Sequence, residues 1–391
     1  MTRRILHVIT GIDRGGAENH LLDLVKHQRA MGMEVEVAYL RGQGYWAGAL
    51  TQLGARVHRL GLRFYGDLAP LLRLRRLIKN SALSLVHAHL PPSELYSRLA
   101  LLGVSARSLP LLITKHNDER FYEGPGQRLM GRWVARRAGF VIAISEAVKK
   151  YMGGTGLGID LRKIHTIVYG IDAEPFARVP SAEVALARKK WGIAGDAMVI
   201  GFVGRLVDQK DLDTLIRGFA LFAPSVPNAR LVIVGRGPLE TRLRELTSEL
   251  AIEDRVVWAG FRDDIGVVMN AFDVFALTSL YEGFGLVLLE AMASRRAVIA
   301  TRVSAVPEVV LDGETGLLIT SRHPIELAAA FKKVTDRFFR VQLGEAGARR
   351  VNHAFTLQAM CQKTDTLYAR CLQAGSPGSH NKIPCAVTTV L

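Results

Sequence analysis

Short apolar runs bounded by polar turns recur along the chain, and between them lie stretches in which apolar residues return every three or four positions. The first pattern predicts strands and the second amphipathic helices. In the first half, Ile5–Ile9, Glu34–Leu40, Arg56–Leu60, Ser84–His89, Leu111–Lys115, Phe140–Ile144 and Ile164–Val168 read as strands, and a helix is predicted over Ala17–Met31. Residues 168–181 break the pattern with Gly170, Pro175 and Pro180 and read as a linker. Alternation then resumes, with strands at Met198–Val203, Arg230–Gly235, Val256–Ala259, Val274–Leu277 and Ala297–Ala300, and helices at Asp211–Phe222 and Leu239–Leu250. Residues 324–338 and 356–373 read as helices, the first opening on Pro324. After Gly375 the periodicity is lost.

The implied fold is α/β: two Rossmann-like doubly wound domains, 1–172 and 173–355, facing across a cleft. A helix over 356–373 returns toward the first domain, and 374–391 is expected to be a disordered tail. In such sheets ligands sit beyond the carboxyl ends of the strands. That rule singles out the loops after Ile9, His89 and Lys115.

The length of 391 residues suits two domains, and a hydrophobic fraction of 49% supplies two cores. Cys361, Cys371 and Cys385 show no Cys-x-x-Cys spacing, so neither a disulfide framework nor a zinc site is expected. No apolar run approaches the ~18 residues needed to span a bilayer. The expectation is a cytoplasmic protein, free or peripheral on the inner face of the plasma membrane. The formal charge of +15 is uneven: residues 1–175 hold 25 Lys and Arg against 14 Asp and Glu, the remainder 26 against 22. Two segments carry much of the excess. Residues 67–80 set Arg73, Arg75, Arg76 and Lys79 around Leu71, Leu74 and Ile78, and 126–139 set Arg128, Arg132, Arg136 and Arg137 beside Leu129, Trp133 and Val134. They read either as anionic-membrane docking helices or as surface helices packing inward. Nucleic acid is disfavoured, since no aromatic platform or recognition motif accompanies the charge.

The candidate chemistry centres on Ser279–Glu290, SLYEGFGLVLLE. Gly283 and Gly285 free the backbone around Glu282 and Phe284, and a helix beginning near Leu286 would turn unpaired amides toward a phosphate. Glu290 lies just over one turn further, within reach of a sugar hydroxyl. Arg205 and Lys210 follow the strand ending at Val203 and can neutralise a diphosphate. In the first half, Gly15 and Gly16 permit a tight turn beside a ligand. His116 follows an apolar strand at the ligand edge, whereas His87 and His89 read as turn or core residues. Val234–Glu240 holds a weak Gly-x-Gly nucleotide signal, and Asp263 and Asp264 suggest a helix N-cap rather than a metal site.

Several segments in this order, GGAENHLLDL, ITKHN, VIAISEAVKKY, VYGID, FVGRLVDQKDLDTLI, LVIVGRGPLE, EGFGLVLLE and VPEVVLDGETGLLI, resemble the retaining glycosyltransferases of family 4, of the GT-B fold, up to about residue 373. The resemblance implies a nucleotide sugar donor, UDP- or GDP-linked, and a carbohydrate or lipid-linked glycan acceptor in cell-surface polysaccharide or lipopolysaccharide assembly, with no metal or other cofactor. It implies that Arg205 and Lys210 hold the diphosphate, that Gly283, Phe284, Gly285 and Leu286 meet phosphate and sugar, and that Glu282 contacts the transferred sugar. Glu290 would bond the ribose, Gly15 and Gly16 would form the opposing loop, and His116 would lie near the reacting centre. The chain departs from the family at Tyr169, where asparagine is commonest, at Ser294–Ala297, in place of a Gly/Pro turn, and at Ser304 and Ala305, where glycines are frequent. A non-catalytic nucleotide-sugar-binding protein and a GT-B nucleotide-sugar epimerase stand as the alternatives.

Overall fold

The computed structural model describes residues 3–116, 124–154 and 159–373. The first sheet has seven strands: β1 (Arg4–Ile9), β2 (Glu34–Tyr39), β3 (Arg56–Arg59), β4 (Leu85–His89), β5 (Leu111–Lys115), β6 (Ala138–Ala143) and β7 (Ile164–Thr166). The second has β8 (Val199–Val203), β9 (Arg230–Val234), β10 (Val256–Gly260), β11 (Val274–Leu277), β12 (Ala297–Thr301) and β13 (Leu317–Ile319). Their orders are β3-β2-β1-β4-β5-β6-β7 and β10-β9-β8-β11-β12-β13, and every pair is parallel. Helices cover both faces, which is why β4, β5, β11 and β12 are buried end to end, and β11 and β12 read as almost continuous apolar runs.

In each sheet the chain order reverses once, between β1 and β4 and between β8 and β11. Adjacent loops there leave in opposite directions and open a crevice. The crevice loops are those after Ile9 and His89 in one domain and after Val203 and Leu277 in the other. All the sequence-derived site segments except His116 therefore lie at a switch point, and His116 ends the strand next to β4.

The chain passes between the domains twice, and the passages are fastened together. Ile171 N donates to Phe355 O (3.0 Å) and Leu357 N to Ile171 O (3.1 Å). A Cβ on Gly170 would lie 2.2 Å from Thr356 O, so no larger residue fits there. The C-terminal helix Leu357–Gln373 packs on the first helix, Gly16–Ala30, and on β6. His27 bonds Asp365 (2.8 Å) across that contact.

Four expectations require correction. A sixth strand, β13, closes the second sheet; its three residues are too few for a periodic signal. The helix opening on Pro324 stops at Lys333, and a separate helix, Arg337–Ala354, begins where Asp336 caps the amides of Phe338 and Phe339. The sixth strand begins at Ala138, cutting the predicted helix to Pro125–Arg137. Arg137 is not on the basic face: it is buried, and its guanidinium donates to Leu109 O (2.8 Å). The expected tail over 374–391 lies outside the described residues, as does Cys385, and among those residues no helix is long and apolar enough to cross a membrane.

Candidate functional site

One wall of the cleft is built from three loops of the second domain. After β8, Gly204 and Leu206 run against the loop after β9: a Cβ on Gly235 would lie 1.8 Å from Gly204 O, and one on Gly237 2.2 Å from Leu206 O. The glycines of Val234–Glu240 thus let this loop pack on the one after β8, on either side of Arg205. Arg205 is exposed and makes no ion pair among the described residues. Lys210 donates to Glu282 Oε1 (2.5 Å), which also accepts from Ser279 Oγ (2.6 Å). Thr278 Oγ1 donates to Lys210 O (3.0 Å) and Asp211 O (2.9 Å), stitching the two segments at the carboxyl ends of neighbouring β8 and β11.

Gly285 adopts φ +90° and starts the helix Leu286–Ala293. A left-handed residue there is natural for glycine and costly for others. The amides of Gly283, Phe284, Gly285 and Leu286 find no acceptor among the described residues and form a nest at the positive end of the helix. Glu290 lies on that helix. Burial pushes its carboxyl up to about 7, and the Asp23 carboxylate adds to the rise. Asp23 itself rises to about 6, chiefly through burial.

The opposing wall carries Gly15 and Gly16. A Cβ on Gly16 would sit 3.5 Å from Leu286 Cδ1, so this loop closes over the amide nest. Glu18 folds back toward Gly15; burial raises its carboxyl while the Arg205 charge opposes the rise. Ahead of the glycines, Arg14 crosses the cleft. Its guanidinium lies 3.6 Å from the Tyr45 ring centre and 4.0 Å from that of Phe261, and it pairs with Asp263 (2.7 Å). Asp13 holds the Tyr45 loop by accepting from Gln43 N (3.0 Å) and Gly44 N (2.9 Å). Asp264 does stand at the N-cap position of the helix Ile265–Asn270, as expected, but its carboxylate makes no capping bond and is held by Arg262 (2.8 Å), while Asp263 reaches the other domain. Three further bonds cross the cleft: Ser145 Oγ donates to Gly283 O (2.9 Å), and Glu146 N (2.9 Å) and Ala147 N (2.7 Å) donate to the Glu308 carboxylate.

Behind this wall, the register that pairs His7 with His87 and Ile9 with His89 gathers imidazoles on one face of the sheet. His116 Nε2 meets His89 Nδ1 (3.1 Å), and His116 Nδ1 meets the Tyr169 hydroxyl, so both its nitrogens are occupied. His7, His87 and His89 bring ligand-type atoms within 4.8 Å of one another. Their six ring nitrogens are nonetheless all engaged, with Gln28, Tyr368, Thr114, His116 or each other. The cluster fits a hydrogen-bonded core better than a metal. Burial drives all these rings toward neutrality, His7 to about 4. His20, inside the GGAENHLLDL segment but not singled out there, joins the cluster from the first helix, and its ring lies 4.7 Å from that of Tyr169. Tyr169 in turn packs edge-on against Phe284 (5.5 Å).

Two family profiles cover most of the chain: "Glycosyltransferase Family 4" over residues 14–175 and "Glycosyl transferases group 1" over residues 184–350. The chain belongs to the group 1 glycosyltransferases. It is 28% identical to putative glycosyltransferase EpsD of Bacillus subtilis over 92% of this chain and 96% of that one. It is 27% identical to alpha-maltose-1-phosphate synthase of Mycolicibacterium smegmatis over 91% and 95%. Among solved structures it is similar to Anabaena Alr3699/HepE in complex with UDP-glucose, with a TM-score of 0.82, 25% identity and coverage of 94% and 99%. This glycosyltransferase thus has the GT-B architecture. Two of its departures from the family carry a structural signature. Ser304 (φ +43°) and Arg295 (φ +54°) occupy the left-handed region where glycine would be unstrained.

Proposed function

We propose that this glycosyltransferase moves a sugar from a nucleotide diphosphate sugar to an acceptor hydroxyl with retention of anomeric configuration. The observation that carries the proposal is the convergence of Arg205, Lys210 and the free amides of Gly283–Leu286 at the second switch point, opposite Gly15 and Gly16. These groups are placed to stabilise charge that develops on a leaving diphosphate. The anomeric carbon–oxygen bond to the diphosphate breaks, the acceptor oxygen bonds the same carbon on the same face, and the acceptor proton passes to a phosphate oxygen. No metal or enzyme base takes part in this scheme. The occupied nitrogens of His116 are consistent with a positioning role rather than a basic one. Glu282 meets the transferred sugar, and Glu290 accepts from the ribose.

A panel of UDP, GDP, ADP and their sugars, read by thermal stabilisation of wild type and Arg205→Ala, tests the donor site. Arg205 is exposed, so its loss spares the fold. A shift with one nucleotide that shrinks in the variant supports the proposal; no shift with any of them refutes it. Release of free nucleotide and a glycosylated acceptor, rather than an altered donor sugar, separates a transferase from an epimerase or a binding protein.

The acceptor is proposed to be a lipid-linked glycan at an anionic membrane surface. The basic helices Leu68–Asn80 and Pro125–Arg137 flank one packed helix, Pro91–Ala100, and share a side of the first domain. Leu68, Leu72 and Leu129 are exposed there, as are Phe64 and Tyr65, which the sequence reading passed over. Apolar side chains within a basic surface suit the headgroup boundary. Sedimentation with anionic but not neutral vesicles at low salt is the expected result, and equal recovery with both removes the docking surface.

A further inference from the structure

Phe284 is the middle residue of the amide nest, yet its side chain is only 1% exposed. A glycine stands on either side of it, so within Gly283–Gly285 the Phe284 ring is the one side chain that can anchor the peptide planes. The backbone hold on this turn, Ser145 Oγ to Gly283 O (2.9 Å), comes from the first domain and spans the cleft.

The ring is gripped between two others. Tyr169 packs on it edge-on at 5.5 Å and Phe355 edge-on at 5.8 Å, with interplanar angles of 77° and 72°. Edge-to-face contact at this distance is a favoured geometry for aromatic pairs. Each jaw belongs to one of the two passages of the chain between the domains. Tyr169 lies two residues before Ile171, whose amide donates to Phe355 O (3.0 Å). The jaws are braced on opposite domains. The Tyr169 hydroxyl bonds His116 Nδ1, just past β5 of the first sheet. Phe355 lies under the Arg350 guanidinium (5.3 Å), which donates to Val309 O (2.9 Å) and Glu308 O (2.8 Å) of the second domain.

We infer that Tyr169 and Phe355 are positioning residues for the amide nest: by holding the Phe284 ring between the two chain passages they fix the peptide planes of Gly283–Gly285 and tie them to the hinge. The inference rests on the diphosphate reading above and adds two residues that act through a third. A turn about the hinge moves the jaw braced on the first domain against the jaw braced on the second, so the nest takes its set shape only with the jaws in register. At position 169 the ring carries this role and the hydroxyl does not. Tyr169→Phe keeps the ring contact while leaving the buried His116 Nδ1 without its partner, which separates positioning from stability.

The test is calorimetric titration of the nucleoside diphosphate selected from UDP, GDP and ADP into wild type, Tyr169→Phe, Tyr169→Leu and Phe355→Leu, each with its unfolding temperature. Tyr169→Phe should unfold at a lower temperature, for want of one buried hydrogen bond, and still bind within about twofold of wild type. Tyr169→Leu and Phe355→Leu should bind about two- to tenfold more weakly, the worth of one aromatic pair holding the loop in its binding form. Leucine variants that bind as wild type does, or Tyr169→Phe binding as weakly as Tyr169→Leu, overturn the inference. A second readout needs no ligand. In protein labelled with ¹⁵N at glycine, the Gly285 amide, assigned by its loss in Gly285→Ala, should change its nitrogen frequency in whichever leucine variant folds and keep it in Tyr169→Phe. That frequency follows backbone geometry rather than ring currents, so a Gly285 signal unmoved in the leucine variants overturns the inference. Absence of binding by wild type to any of the three nucleotides refutes the diphosphate reading alone, and the Gly285 signal then decides the positioning by itself.

Discussion

Arg14 is the side chain most directly engaged in holding the two walls together, and removing it has a calculable consequence. Its contact with Tyr45 lies within one domain and persists when the cleft opens, so it drops out of the balance. The contact with Phe261 and the pair with Asp263 are lost on opening. A cation over an exposed aromatic ring is worth ~0.5–1 kcal/mol. The ion pair contributes ~0.2–1 kcal/mol, toward the low end because the Asp263 side chain is 70% exposed. Arg14→Ala should therefore shift the closed-to-open ratio by about 0.7–1.5 kcal/mol, roughly three- to twelvefold. Single-molecule energy transfer between dyes on cysteines introduced at Lys79 and Glu249, one exposed helix in each domain, reads the two populations; Cys385→Ser removes a competing thiol. Asp263→Asn should shift the ratio by only about two- to threefold and should remove part of its salt dependence. Populations unchanged by Arg14→Ala would refute the reasoning and leave closure to Ser145, Gly283 and Glu308.

Other outcomes follow from local features. Ser304→Gly and Arg295→Gly each relieve a left-handed residue and should raise stability by about 1 kcal/mol in denaturant titration. Arg295→Gly also gives up an exposed pair with Glu345 (3.2 Å), of little weight. The folded-state pKa of Glu290 is raised to about 7, so the native protein binds a proton that the unfolded chain has released by about pH 4.5. That contribution to stability is complete below pH 4.5 and is lost as the pH rises through 7. Glu290→Gln should flatten this part of the stability profile. Nucleotide affinity should run the opposite way, rising through about pH 7 as Glu290 ionises to accept from the ribose, and the same variant should remove that rise. Tyr368→Phe leaves Gln28 Nε2 and His87 Nδ1 without their shared partner and should cost about 1–3 kcal/mol by thermal unfolding.

The meeting of the two second-domain segments was legible because each of them is local. Arg205 and Lys210 are five residues apart after one strand, and Glu282, the glycines and Glu290 share one loop and helix, so spacing alone predicts which groups converge. The histidine cluster was not legible. Its members come from the first helix, β1, β4, the end of β5 and the C-terminal helix, and what joins them is strand register, in which His7 faces His87. The helix Arg337–Ala354 escaped for another reason. It buries small residues, Gly344, Gly347 and Ala348, where a periodic signal expects large ones. A Cβ on Gly344 would lie 2.2 Å from Arg295 O, so close backbone packing replaced the apolar stripe.

The paired crossing at Ile171 and Thr356 has a mechanical meaning. Two strands of chain bonded to each other at one point, with Gly170 pressed on Thr356, behave as a pin rather than as two independent tethers. A pin permits rotation and resists sliding, so a swing of one domain on the other would keep the Gly283–Leu286 loop and the Gly15–Gly16 loop in lateral alignment. Every cleft contact then acts on a lever arm measured from that pin. Substitutions at residues 171–174 and 356–358, remote from Arg205 and the Gly283–Leu286 amides, are where an opening rate would be retuned without altering the walls of the cleft.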